Sequence, residues 1–299
     1  MKIKPMAIAF SLSLGMVLGL NLPSLAGDPF RTKDVRDIGD KTEKAFDEIF
    51  KKGNYTQAQV YLQEAITQGE NDPLIYGMLG SMAYSDKNWE NVKVYGEKTL
   101  QAAEALKSKD PLRYNIYTGV GYGLQGTYRF KTDGPVSALP LLQQVFQYIE
   151  TAEQIAPNDP ELNLLKGFFD LVLAVNMPFS SPQDAIARFQ SYAAPSYLVK
   201  RGIALAYRDL KDYNKALQYI NEALAATPDN PELEYLKGQI LRSIGKKDKN
   251  IAALKQALEQ YNLVFPKQAQ LPPPVQTALK YEHRKVQGEI SELEKSPTP

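Results

Sequence analysis

Between Tyr197 and Asn230 apolar residues recur at steps of three and four. Ile203, Ala204 and Tyr207 mark one stripe, and Ala216, Ile220 and Ala223 mark the next. Such spacing keeps each set on one face of a helix, so the segment predicts two helices packed as a hairpin. Four points along the chain carry a helix-start signal: Asp72-Pro73, Asp110-Pro111, Asp159-Pro160 and Asn230-Pro231. Asp or Asn caps the free amides, and proline fits the first helical position, where no amide hydrogen is needed. The last two starts also carry an acid, Glu161 and Glu232, which the helix dipole favours. After a proline-rich connector at 265–274, Val275, Leu279, Val286, Ile290 and Leu293 form one more stripe, predicting a helix from Val275 to about Lys295.

The starts belong to a repeat. PNDPELNLLKG at 157–167 and PDNPELEYLKG at 228–238 agree at most positions with an offset of 71 residues, close to twice 34. A period near 34 suggests paired helices. The unit at 197–230 resembles a tetratricopeptide repeat, with a small residue at position 8, Tyr at 11, Ala at 20, a large apolar residue at 24, Ala at 27 and Pro at 32. The same register gives six units, at 39–72, 73–106, 111–158, 160–194, 197–230 and 231–264, in a repeat region spanning 39–264. The third unit carries about fifteen extra residues, expected around Arg129 to Gly134, and the fourth an insertion near Asn176 to Ser181. Phe46 at a small position, Gly96 at an apolar one and Asp170 at an aromatic one depart from the pattern. The resemblance implies an all-α, right-handed α-solenoid of about six helix hairpins. A helix within 275–299 would shield its open end, as a solenoid requires.

Export changes where such a protein would work. Lys2 and Lys4 precede an uncharged run to Leu25, and Ser24 and Ala26 suit a signal peptidase. Residues 1–26 therefore read as a secretory signal peptide, leaving a lead-in at 27–38. No later segment is apolar enough to span a membrane. The chain has no cysteine, which removes disulfides, thiol catalysis and thiolate metal sites. Without the two signal lysines, 33 basic residues face 34 acidic ones. That balance does not advertise a nucleic-acid partner or an anionic surface. The Asp28-Pro29-Phe30-Arg31 start and Gly53-Asn54-Tyr55 resemble exported repeat proteins of cyanobacteria. That resemblance implies the periplasm or the thylakoid lumen, and a setting in assembly or maintenance of envelope or photosynthetic complexes.

GVGYGLQG at 119–126 matches the glycine pattern of a dinucleotide-binding turn. That turn must follow a strand and open a helix, and here Pro111 to Tyr117 is itself a helix start, so no dinucleotide cofactor is expected. Glycines inside a helix lose about 1 kcal/mol each relative to alanine. Close approach of a neighbouring helix would return something, as would a shallow aromatic pocket made by Tyr114, Asn115, Tyr122, Tyr128 and Phe130. The only histidine, His283, stands among charges on the terminal helix without convergent partners. Elbow, P-loop and calcium-loop motifs are absent, so catalytic, metal and cofactor residues are not assigned.

In tetratricopeptide proteins the first helix of each unit lines the concave face. The resemblance therefore implies a partner-binding surface including Asn115, Tyr122, Phe168, Leu171, Arg201, Arg208, Tyr235, Gln239 and Arg242. Aromatic and arginine side chains suit an extended peptide or an acidic chain terminus. Family members that grip chaperone C-termini carry lysine and asparagine at positions 5 and 9 of one unit, and no unit here has that pair. The sequence thus points to a non-catalytic scaffold for a protein or peptide partner. A binder of small molecules or glycans at the third unit and an envelope hydrolase are the alternatives.

Overall fold

The computed structural model describes residues 27–176 and 181–295, so the expected signal peptide lies outside the described residues, as does the final Ser-Pro-Thr-Pro. The described chain forms thirteen α-helices and no strand. They are α1 Asp40–Phe50, α2 Tyr55–Thr67, α3 Pro73–Ser85, α4 Trp89–Glu104, α5 Pro111–Thr132, α6 Pro135–Ile155, α7 Pro160–Asn176, α8 Pro182–Ser191, α9 Ser196–Asp209, α10 Tyr213–Ala226, α11 Pro231–Asp248, α12 Ile251–Val264 and α13 Pro273–Lys295. Odd and even helices pair as six antiparallel hairpins, and α13 follows a short 3-10 helix at Phe265–Gln270. The fold is an all-α solenoid whose last face is covered by α13, through Leu279, Val286 and Ile290.

Helix starts follow the local chemistry. Asp72, Asp110 and Asn230 each accept a backbone amide from the first turn they precede, and Asp159 accepts from Leu162. The second helices of the hairpins have caps of their own, Asn54, Asn88, Asp212 and Asn250. Small residues let large rings enter: Phe189 is buried between α7 and α9, and a Cβ added at Gly202 would stand 2.5 Å from its ring. Gly238 does the same for Tyr261, where an added Cβ would lie 2.6 Å from Cδ1.

The extra residues of the third unit do not form a loop. They lengthen both helices, which meet at the two-residue turn Asp133-Gly134. The glycine-rich stretch lies inside α5, and its members differ. A Cβ at Gly121 would reach Leu100 at 2.7 Å and the Gly96 carbonyl oxygen at 3.2 Å, so α4 and α5 cross closely there. One at Gly119 would press Ile149 of α6 at 3.2 Å, whereas at Gly123 the nearest atom is 4.0 Å away. Close helix approach accounts for Gly119 and Gly121, and it does not account for Gly123.

The first hairpin meets the last. Asn230 donates through Nδ2 to the carbonyls of Phe50 and Lys51 at 3.3 and 3.2 Å, the Tyr55 hydroxyl reaches Glu232 Oε2 at 3.0 Å, and Thr56 Oγ1 reaches the Ala269 carbonyl at 2.9 Å. Gly53 makes this junction possible. Its φ is +62°, and an added Cβ would stand 2.5 Å from Asn230 Oδ1 and 3.0 Å from Pro231.

Candidate functional site

Two regions gather charged and aromatic side chains from several units. The first lies where α3, α5 and α7 begin. Arg113, almost fully buried, makes a two-pronged contact with Asp72 at 2.6 and 2.9 Å, and its Nε reaches Glu161 at 3.2 Å. The Tyr117 hydroxyl donates to Glu161 Oε1 at 2.6 Å. Burial pushes the Glu161 carboxyl up, against the pull of Arg113 and Arg36. The lead-in completes the group. Arg36 reaches Glu161 at 2.6 Å, Asp110 at 3.2 Å and Asp159 at 3.4 Å, and Arg31 also pairs with Asp159. Phe30 is buried edge-on against Phe46, with ring centres 5.2 Å apart.

The second region lies between α9, α11 and α13. Arg208, Gln239, Arg242, Ser243, Lys246 and Glu282 line an open cleft of about 300 Å³. Arg242 grips Glu289 through Nε and Nη2 at 3.0 and 2.7 Å, with Lys246 near the same carboxylate at 3.7 Å. Glu282 accepts from Tyr235, Gln239 and Tyr261 at 2.9, 3.0 and 2.8 Å. Arg208 is held only sideways, by the adjacent Asp209 at 2.9 Å.

Three of the nine residues expected on the concave face, Arg208, Gln239 and Arg242, therefore come together. Tyr235 joins them through Glu282, which it shares with Gln239, and the other five lie elsewhere. Asn115 is buried and donates to the Pro111 carbonyl at 2.7 Å, Leu171 is buried, and Phe168 packs edge-on against Phe189 with ring centres 5.1 Å apart. Arg201 pairs with Glu232 beside the Tyr55 hydroxyl, which ties it to the junction of first and last hairpins. Tyr235 is turned under α13 by Glu282. Tyr122 stacks on Tyr148, whose ring also meets Tyr114, so these tyrosines fill the space between α5 and α6. Tyr128 and Phe130 lie further along α5, beside Lys93 and Lys131. The five residues of the expected aromatic pocket thus do not surround one space.

The charged group at the helix starts was not legible in advance. Its caps were visible, but Arg31 lies 128 residues from Asp159 and Arg36 lies 125 from Glu161, and nothing in a single sequence pairs residues at those distances. His283 lies near Asn262 Oδ1 at 3.0 Å and meets the Phe265 ring edge-on, which is a packing role. Among the described residues no group of His, Asp and Glu could hold a metal ion, and no helix is long and apolar enough to cross a membrane.

A stack of paired helices whose last face is covered by one further helix defines a helical-repeat solenoid. Residues 201–263, from within α9 to within α12, match the family model described as Tetratricopeptide repeat. The human protein Tetratricopeptide repeat protein 7A is 22% identical over 217 residues, which cover 71% of this chain. The match spans 24% of that relative's length. Among solved structures, PilW, described as a widely conserved type IV pilus biogenesis factor, is similar with a TM-score of 0.47 and 15% identity, covering 74% of this chain and 90% of its own. A human IFIT1 dimer with PPP-AAAA has a TM-score of 0.45 and 16% identity, covering 86% and 60%.

Proposed function

We propose that the protein is a non-catalytic scaffold that holds an extended, acidic segment of a protein partner in the cleft between α9, α11 and α13. The observation that carries this reading is the convergence of Arg208, Gln239 and Arg242 on one open cleft, in the part of the chain that matches tetratricopeptide repeats. Arg208 and Lys246 are the side chains with spare donors there, since Glu289 already takes the Arg242 fork. A planar guanidinium beside a mobile ammonium suits carboxylates presented along an extended chain. The cleft is too open to shield reacting groups from water, which supports binding over catalysis.

The N-terminal pattern of Lys2, Lys4, the uncharged run and Ser24-Leu25-Ala26 supports export by the general secretory route. We place the working site in the periplasm, or in the thylakoid lumen if the cyanobacterial resemblance extends to the source. The setting is assembly or maintenance of envelope or photosynthetic complexes.

In-cell crosslinking of the tagged protein, with mass spectrometry locating both linked residues, tests this. A dominant protein partner attached at or beside Arg208 to Lys246 is expected. Partners attached only to the outer faces of α2, α4 and α6 would overturn it.

A further inference from the structure

The lead-in is a short non-helical segment, turned at Pro29-Phe30 and bent at 32–34, that packs on the starts of α5 and α7. We infer that residues 27–38 are a ligand held in cis, and that this site admits a partner segment of the same chemistry: an aromatic residue followed at once by an arginine, with a second arginine five residues on. This goes beyond the scaffold reading, because the site is separate from the cleft between α9, α11 and α13 and takes a basic segment where that cleft takes an acidic one.

The floor dictates the chemistry. The side chains of Asp159 and Glu161 have no solvent exposure, and Asp110 borders them. Glu161 keeps Arg113 without the lead-in, but Asp159 is paired only with Arg31 and Arg36, and a carboxylate this dry needs a cation, so whatever replaces the lead-in must bring one. Arg36 addresses three carboxylates at once, from Nε, Nη1 and Nη2, a geometry open to a guanidinium and closed to a lysine. Phe30 supplies the apolar anchor against Phe46.

Three features show that the segment is held at its ends and loose between them. Residues 32–35 are exposed, lie in no helix, and include Asp34 at φ +51°, a conformation that disfavours a side chain. Arg31 Nε is buried without an acceptor, so the fit is incomplete. A cleft of about 540 Å³ runs between Phe30 to Asp34 and the turn Ala156 to Pro160, giving an incoming chain room to enter before the resident segment leaves. Segments with few backbone hydrogen bonds open locally at low free energy.

The test uses the full chain and a fluorescent peptide with the sequence of residues 27–38, followed by anisotropy. The wild-type chain should bind weakly, because the tethered copy competes at high effective concentration. The double variant Arg31→Lys, Arg36→Lys keeps both charges and loses the forks, and should bind the peptide about tenfold more tightly or better. A peptide with both arginines replaced by alanine should not bind. On the wild-type chain, hydrogen exchange gives an independent readout: amides at 30–36 should exchange faster than those of α5, and excess peptide should accelerate them further. A folded double variant that ignores the peptide, or that takes the arginine-free one equally well, would overturn the inference. So would amides at 30–36 that exchange as slowly as α5 and do not respond to peptide. A partner crosslinked at Arg208 to Lys246 together with a peptide that fails would remove the cis ligand alone, while failure at both places would remove the scaffold reading too.

Discussion

The charged group at the starts of α3, α5 and α7 and the cleft between α9, α11 and α13 are made of the same materials, arginines and carboxylates. They differ in who completes them. At the first, Arg113, Asp72, Glu161 and Arg36 pair with one another largely away from water. At the second, Arg208 and Lys246 keep donors toward solvent. Buried pairs fix geometry because losing one partner strands the other, whereas exposed pairs contribute little to stability and leave their charges for an incoming chain. A repeat array can thus use one residue type as cement in one unit and as a contact surface in another.

The largest break of that contrast is Arg113→Ala. It strands Asp72 and Glu161 and should cost about 3–5 kcal/mol, read as a lowered urea midpoint. A loss under about 1 kcal/mol would mean that water reaches the group, as it does at surface pairs. Next is the α4–α5 crossing. Gly121→Leu should destabilise by about 1–3 kcal/mol through overpacking, while Gly123→Ala, with room to spare, should gain up to about 1 kcal/mol from helix propensity. Equal effects at the two glycines would remove the packing account of the crossing.

Acid should loosen α13 before it reaches the buried group. Burial holds His283 below its usual range, so protons favour the unfolded imidazole and stability falls as pH drops below about 6.5. Glu289 is lowered too. Its burial acts the other way, and the Arg242 fork and Lys246 outweigh it, so its contribution is present above about pH 4.5 and is lost as pH falls through its lowered value. Glu161 has the opposite sign, because its raised pKa means that protonation relieves burial. Hydrogen exchange at pH 7 and pH 5 should show α13 amides opening at the lower pH while α5 stays protected. The smallest structural effect belongs to Arg208→Ala, which should leave the midpoint within about 0.5 kcal/mol and weaken partner capture.

Much of the framework was readable from local signals. The Asp-Pro and Asn-Pro starts placed α3, α5, α7 and α11, and the stripe from Val275 to Leu293 placed α13. These depend on a few neighbouring residues. The lengthening of α5 and α6 was hidden because Asp133-Gly134 reads equally well as the centre of a loop. Of the site, the Arg208 and Arg242 positions were visible through the repeat register, since position within a unit sets the face. What could not be seen was the filling of that face. Arg201 looks free in the sequence, yet Glu232 and Tyr55 stand beside it, and Asn115 looks available, yet it is buried. Contacts between residues more than a hundred positions apart depend on how far the array curls, which no single unit encodes.

The contact of Asn230 with the end of α1 has a consequence for how the molecule comes apart. In an open array each unit senses only its neighbours, so unfolding begins at whichever end is weaker and spreads inward as a moving boundary. Here the outermost hairpins are each other's neighbours. Separating either outermost hairpin must first break the contact of Asn230 with Phe50 and Lys51, so the six hairpins should melt as a single cooperative body, with α13 alone free to open ahead of them.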